Sequence, residues 1–378
     1  MFKSHSDLQN LQLTVNSCPM PLRACIDNQE IISVDLTDDE WNHLKLQLKT
    51  DQSSLTLPCC GGEGFLRTSS KGLKHFVHSK SAGCDWKPES AEHLKAKVAI
   101  LEACRECGWE AIPEYSEADW RADVLAIQGQ KRIAFEVQWS RQSYEETQFR
   151  QSRYKASDVR GCWFFRIAPK EMVNYDKSLV ADKDIPAFKI FKNEDSEIYV
   201  QFGERRIPLK TMVVSLLNRK LKFCEHTRIR PKQEITISFF EYDCWKCHKK
   251  QYCYAVTSPL KTVCGLDIDS CSSMWDNDDI DKNPQVYDAV QRFLKTEQGK
   301  EMRIGKLQPR FSKTVGHNYL SHGCYYCNAI FGDFFLQEEK FFAQDSPDSI
   351  RYTTTVELTP ILQKNPHWCF SEDGYFCE

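Results

Sequence analysis

The spacing of apolar and polar positions changes several times along the chain, and each change marks an element. Leu11 to Val15 and Ile31 to Val34 are short apolar runs of strand type, and Asp38, Asp39 and Glu40 after Thr37 mark the first turn of a helix. From Pro58 to Trp86 regular spacing gives way to a loop region rich in cysteine and histidine. Ala91, Leu94, Val98 and Leu101 then recur at helical spacing, which predicts a helix from about Ser90 to Cys107 with Gly108 just past its end. Beyond Gly108 the period is that of strands, over Trp109 to Tyr115, Arg121 to Ile127 and Arg132 to Gln138. Ser143-Tyr144-Glu145-Glu146 has the form of a capping box and opens a helix to about Ser157, and Gly161 to Ile167 is an aromatic strand. The order α-β-β-β-α-β predicts a mixed α/β domain. A sheet-like segment (Ala187 to Val200), a helix near Met212 to Leu221 and a cysteine- and aromatic-rich region from about Ile235 follow it.

The strands carry the most informative chemistry. Gly129-Gln130 suits the central positions of a type II′ turn. With Gln128 opposite Lys131, counting outward brings Asp123 opposite Glu136, and directly opposed side chains lie only about 4.5 to 5.5 Å apart. Two facing carboxylates repel unless something positive sits between them, and a divalent cation meets that need. Gln138, two residues beyond Glu136, projects from the same sheet face. Oxygen ligands of this kind suit Mg²⁺ or Mn²⁺. The opposite face, with Ala122, Val124, Ala126, Ile133, Phe135 and Val137, is core. The alternative is a shifted register, or two solvent-facing acids on an ordinary edge hairpin.

Together with Glu89-Ser90-Ala91-Glu92-His93 and Lys97 before the hairpin, and Arg150 and Tyr154 before Trp163 after it, this arrangement resembles the competence protein CoiA-like family. The core of that family belongs to the PD-(D/E)XK nuclease superfamily, and the resemblance spans roughly residues 58 to 222. It implies a restriction-endonuclease-like core that hydrolyses phosphodiester bonds in DNA with Mg²⁺ or Mn²⁺. Asp123 and Glu136 would be the metal-binding acids, Glu92 a third acidic contributor, and Gln138 a catalytic-site residue. Lys97, Arg150 and Tyr154 would face the nucleic acid. Gln138 stands where the wider superfamily usually has lysine, and an amide can orient water or phosphate but carries no charge.

Composition adds a second kind of metal. Eighteen cysteines are a heavy load for a chain whose first residues lack the apolar core of a secretory signal, so a cytoplasmic setting with reduced thiols is expected. Cysteines at short spacing then read as metal ligands. Cys244-Trp245-Lys246-Cys247 and Cys324-Tyr325-Tyr326-Cys327 are two Cys-x-x-Cys knuckles that would make a structural Zn²⁺ site of the zinc-ribbon kind, with a long insertion between them. That insertion holds the acidic run Asp276 to Asp281 and a helical pattern near Val286 to Leu294. Cys59, Cys60, His75, His78 and Cys84 hold enough donors for another zinc through a subset, or form a loop without one. Cys253, Cys264, Cys271, Cys369 and Cys377 have no evident partner, and Cys104 and Cys107 fall on the apolar helix.

The net charge of −3 excludes a general polyanion binder, so contact with DNA requires a local basic surface, for which Arg205 to Lys232 is a candidate. No apolar run is long enough for a membrane span. The expected organisation is a β-rich region with a Cys/His-rich segment (1–88), the nuclease-like domain (89–222) and a zinc-ribbon-like domain (235–378), which could also dock a protein partner. Two functions follow: a metal-dependent DNA nuclease, in DNA uptake, recombination or defence against foreign DNA, or a non-cleaving nucleic-acid-binding or scaffolding protein that retains the fold.

Overall fold

A computed structural model of the chain describes residues 21–50, 54–79, 89–268, 280–345, 349–359 and 362–377, apart from 118, 176, 204, 282, 372, 373 and 375. The expected strand at Leu11 to Val15, the acids Asp276 to Asp279, and Cys84 and Cys271 lie outside these residues. The chain forms two compact units, 1–221 and 222–378.

In the first unit, β1 (Arg23–Ile26) pairs with β2 (Gln29–Ile32) and β3 (Leu55–Thr56), and β4 (Gly64–Thr68) pairs with β5 (Lys74–His78). The expected strand at Ile31 to Val34 ends at Ile32, where a 3-10 turn, Ser33–Asp35, begins. Helix α1 (Asp38–Thr50) starts where its acids place it, because Thr37 and Glu40 cap each other reciprocally. Trp41, Leu57 and Phe76 close a small core here.

The centre of the unit is a seven-stranded mixed sheet, in the order β12-β11-β10-β9-β8-β7-β6. Its strands are β6 (Glu110–Ser116), β7 (Arg121–Gln128), β8 (Lys131–Gln138), β9 (Arg160–Phe165), β10 (Ala187–Lys192), β11 (Ile198–Phe202) and β12 (Arg205–Pro208). Strands β8, β9 and β10 run parallel and the outer ones antiparallel. Helix α2 (Ala91–Glu106) is fixed at both ends: the Ser90 side chain accepts from the His93 N–H, and Gly108 takes φ +72° after the cap residue Cys107. Helix α3 (Tyr144–Ala156) begins at Ser143, whose side chain accepts from the Glu146 N–H. The two helices cover opposite faces of the sheet. Cys162 of β9 lies against Cys104 of α2, while its neighbour Trp163 donates its indole N–H to Gln151 of α3. Alternation along the strand therefore buries both faces, and the face that carries Glu136 is as much core as the other. Leu125, Ala134 and Trp163 on that side are fully buried with Tyr154. Helix α4 (Leu209–Leu217) packs beside α2.

The second unit is built on β14 (Lys232–Asp243), the middle of an antiparallel sheet with β15 (Lys250–Val256) and β20 (Ile350–Glu357). The other strands are β13 (Leu221–Arg228), paired with β21 (Leu362–Phe370); β16 (Leu260–Lys261), paired with β17 (Asp267–Ile268); and β18 (Gln308–Phe311), paired with β19 (Asn318–Ser321). Helix α5 (Pro284–Leu294) buries Val286, Val290 and Phe293 against Ile235, Ile237 and Phe239. On the other face Phe240 packs with Leu336 of helix α6 (Asp333–Asp345). Among the described residues, no helix is long and apolar enough to cross a membrane.

One buried lysine ties the first unit together. Lys97 of α2 has no exposed surface, and its Nζ lies 2.7 Å from Glu89 Oε2 and 2.6 Å from Glu114 Oε1. Burial alone would discharge it, but the two carboxylates hold its proton and raise its pKa. Glu114 also accepts the backbone N–H groups of Leu22 and Arg23, so the network joins β6 to the N-terminal segment. Removing one member of a buried ion pair leaves an uncompensated charge. Lys97→Met is therefore expected to lower stability by about 3–5 kcal/mol in urea unfolding. The pair Lys97→Met with Glu114→Gln should lose less than the sum of its single changes, as measured by a double-mutant cycle.

Candidate active site

The β7–β8 hairpin turns at Gly129, whose φ is +58°, and pairs Gln128 with Lys131 and Ile127 with Arg132. The ladder ends at Val124–Phe135, so Asp123 and Glu136 occupy the first positions beyond it rather than forming a pair. The strands part there because the Asp123 carboxylate takes the next N–H, that of Val137, at 2.8 Å. The divergence opens a cavity of about 640 Å³. Glu89, His93, Asp123, Glu136, Gln138 and Arg150 line it.

Each of the two acids has its own cationic partner. Asp123 lies 3.2 Å from His93 Nε2, and Glu136 lies 2.6 Å from the Arg150 guanidinium and accepts the Tyr154 hydroxyl. Burial opposes ionisation of Asp123, but His93, Lys97 and the Val137 N–H outweigh it and hold the carboxyl well below its usual range. Burial also disfavours a charged His93, yet Asp123 and Glu89 raise its pKa above the ordinary value. Glu136 has no exposed surface. Burial pushes it up to about 7, with the Asp123 charge adding to the rise and Arg150 and Tyr154 opposing it. Its Oε2 is buried without a hydrogen-bond partner, which is costly for a carboxylate oxygen. The Arg150 guanidinium also sits over the Trp163 ring, 5.2 Å from its centroid.

Other residues singled out by sequence stand elsewhere. Glu92 does not line the cavity; its carboxylate is 3.0 Å from Lys192, which lowers its pKa. Glu89 lies just before the cap residue Ser90, His93 and Lys97 share one face of α2 at an interval of four, and Glu92 lies about 100° round the helix from His93. Lys97 is enclosed with its two acids, and the buried Tyr154 donates to Glu136 and to the Arg121 carbonyl, so neither stands among the groups lining the cavity. The basic segment 205–232 is divided between the two units. Arginines reach the cavity from other segments: Arg121, Arg141 and Arg166 lie at its wall with Arg150.

The four thiols of Cys244, Cys247, Cys324 and Cys327 converge within 4.8 Å of one another, with separations of 3.6 Å for Cys244–Cys327 and Cys247–Cys324. The long separation in sequence is bridged because β14 and β15 carry the first knuckle and the turn after β19 carries the second. Each knuckle closes alike: His248 and Asn328, one residue past the second cysteine, take φ of 54° and 57°, and each donates its N–H to the carbonyl of the first cysteine. Among the aromatic neighbours, Tyr254 and Phe331 pack inward while Trp245, Tyr325 and Tyr326 are exposed. In the first unit Cys59, Cys60 and His78 converge, whereas the His75 ring turns to the Leu73 carbonyl. A further set, Cys264, His367, Cys369 and Cys377, comes together although its cysteines have no evident partner in sequence. These Cys/His groups can hold a structural metal, with donors suited to zinc.

The family model described as competence protein CoiA, nuclease-like domain, matches residues 89–250. That stretch is similar to the CoiA nuclease-like domain. The matched stretch runs from Glu89 through the whole seven-stranded sheet to the first Cys-x-x-Cys knuckle, so the parted hairpin, α2 and α3 all belong to the nuclease-like match. No curated protein matches the chain.

The pKa of Glu136 gives the site a measurable signature. Folding raises it from 4.5 to about 7, so its contribution to stability is fully present below pH 4.5 and is lost as pH rises through about 7. In buffer free of Mg²⁺ and Mn²⁺, Glu136→Gln should gain stability relative to the parent across that window in urea unfolding. A difference that stays flat with pH would show that Arg150 keeps Glu136 ionised throughout.

Proposed function

We propose that this protein is a metal-dependent DNA nuclease of the PD-(D/E)XK kind. The observation that carries the reading is the parted hairpin end, where Asp123 and Glu136 enter one cavity walled by arginines, within a nuclease-like match. The α-β-β-β-α-β order of α2, β6, β7, β8, α3 and β9 is consistent with that topology. The donor set suits Mg²⁺ or Mn²⁺, because the buried Glu136 Oε2 lacks any protein partner and Asp123 is held ionised beside it.

Such an ion would supply Lewis acidity, polarising the phosphate and promoting ionisation of the attacking water. The protein's own groups do the rest. Asp123 and Glu136 would hold the ion, and Gln138 would orient water or phosphate by hydrogen bonds. Arg150, with Arg121, Arg141 and Arg166 near the cavity, would receive the phosphate backbone, a task suited to planar guanidinium groups. His93, held by Asp123, is placed to exchange a proton at the cavity wall. Zn²⁺ on Cys244, Cys247, Cys324 and Cys327 would be structural, since four protein thiolates leave no open position.

Gln138 favours one second reading, a protein that binds nucleic acid in this cavity without cutting it. Incubation of the purified chain with single-stranded, duplex and branched DNA, with and without Mg²⁺ or Mn²⁺, separates the two. Cleavage is expected only with the metal, and Asp123→Asn and Glu136→Gln should each fall to the metal-free level while their circular dichroism stays that of the parent. Binding without cleavage under every condition would establish the second reading, and cleavage by both variants at the parent rate would remove these acids from the chemistry.

A further inference from the structure

The second unit holds a group of donors apart from the four knuckle thiols. Cys264 lies in the turn between β16 and β17, where Gly265 takes φ +83° and the Gly265 N–H donates to the Thr262 carbonyl. His367 and Cys369 are alternate residues of β21, so both project from the same side of the strand. Cys377 arrives from the stretch that follows β21. All four side chains are buried, with exposures of 3%, 7%, 0% and 0% in chain order. Their donor atoms lie within 4.8 Å of one another, and Cys264 Sγ is 3.5 Å from both Cys377 Sγ and His367 Nε2.

These separations choose between the ways buried thiols can meet. A disulfide needs sulfurs about 2.05 Å apart, whereas those of Cys264 and Cys377 are 3.5 Å apart. A tetrahedral zinc with Zn–S bonds of about 2.3 Å places its ligand atoms roughly 3.7 Å apart, close to what is observed. The imidazole supplies the second argument. His367 Nδ1 is 2.9 Å from the Asn365 carbonyl, which can only accept, so the proton belongs on Nδ1 and the Nε2 lone pair is turned toward the sulfurs. An outer hydrogen bond of this kind orients metal-ligating histidines.

We propose that Cys264, His367, Cys369 and Cys377 form a second structural zinc site, of the Cys₃His type, independent of the Cys244–Cys327 site and of any nuclease activity. Four protein donors close the coordination sphere, so the ion holds chain segments together and does no chemistry. It fastens the β16–β17 turn and the stretch after β21 onto β21.

The test is the zinc content of the purified full chain, by elemental analysis, with X-ray absorption at the zinc edge to separate sulfur from imidazole ligands. Cys369→Ser is expected to carry one zinc per chain fewer than the parent. Cys327→Ser should remove a different equivalent and leave the imidazole signal in place. If Cys369→Ser fails to fold, His367→Cys carries the test, because it offers a thiolate in place of the ring. Its spectrum should lose about one imidazole per chain. Unchanged zinc content in folded Cys369→Ser, or an unchanged spectrum in His367→Cys, would overturn the proposal whatever the outcome at Cys327.

Discussion

Burying carboxylates is the constraint on which the first unit depends. Glu89, Glu114, Asp123 and Glu136 are buried or nearly so around one end of the seven-stranded sheet, where the desolvation of each would cost several kcal/mol if nothing answered it. His93, Lys97 and Arg150 answer it, and each does so across an element boundary. Lys97 joins α2 to β6, His93 joins α2 to β7, and Arg150 with Tyr154 joins α3 to β8. The same charges that need neutralising therefore fix both helices to the strands, and with them the walls of the cavity. Hydrophobic packing beneath, around Trp163 and Tyr154, sets the distance between layers. The ion pairs set the register of the side chains.

This explains which parts of the structure could be read in the sequence. Signals confined to a few neighbouring residues were legible: Ser90 and Gly108 bound α2, Ser143 starts α3, and Gly129 fixes the hairpin register. What a side chain meets across elements was not. Glu92 and Glu89 are both acids near the start of α2, and only the rotation of the packed helix sends one to Lys192 and the other to Lys97. Lys97, expected from the sequence to face nucleic acid, is instead enclosed by two buried acids. His93, three residues after its cap, was visible as a motif letter; its contact with Asp123 depends on how α2 crosses β7.

The cysteines divide along the same line. Two Cys-x-x-Cys pairs announce themselves because each knuckle supplies two ligands from one turn, and a gap of any length between the turns leaves that signal intact. The set of Cys264, His367, Cys369 and Cys377 draws one ligand from a turn, two from alternate positions of a strand and one from a later stretch. Only the alternation of His367 and Cys369 is local, and by itself it is as ordinary as any pair on a strand.

Gln138 carries no charge, and the positive charge near it comes from another element. A lysine there would bring a positive charge on a flexible stem from the edge of β8; the charge comes instead from Arg150, on α3, shared between Glu136 and the ring of Trp163. A guanidinium holds its proton at any working pH, so Arg150 can balance a phosphate but cannot take part in proton transfer. That leaves the roles of a lysine separable here. The permanent charge resides on α3, and a group able to gain or lose a proton, His93, stands across the cavity on α2. Because Glu136 is neutralised from one side by Arg150 while its Oε2 stays without a partner, a second cation entering the cavity would meet a carboxylate already positioned for it.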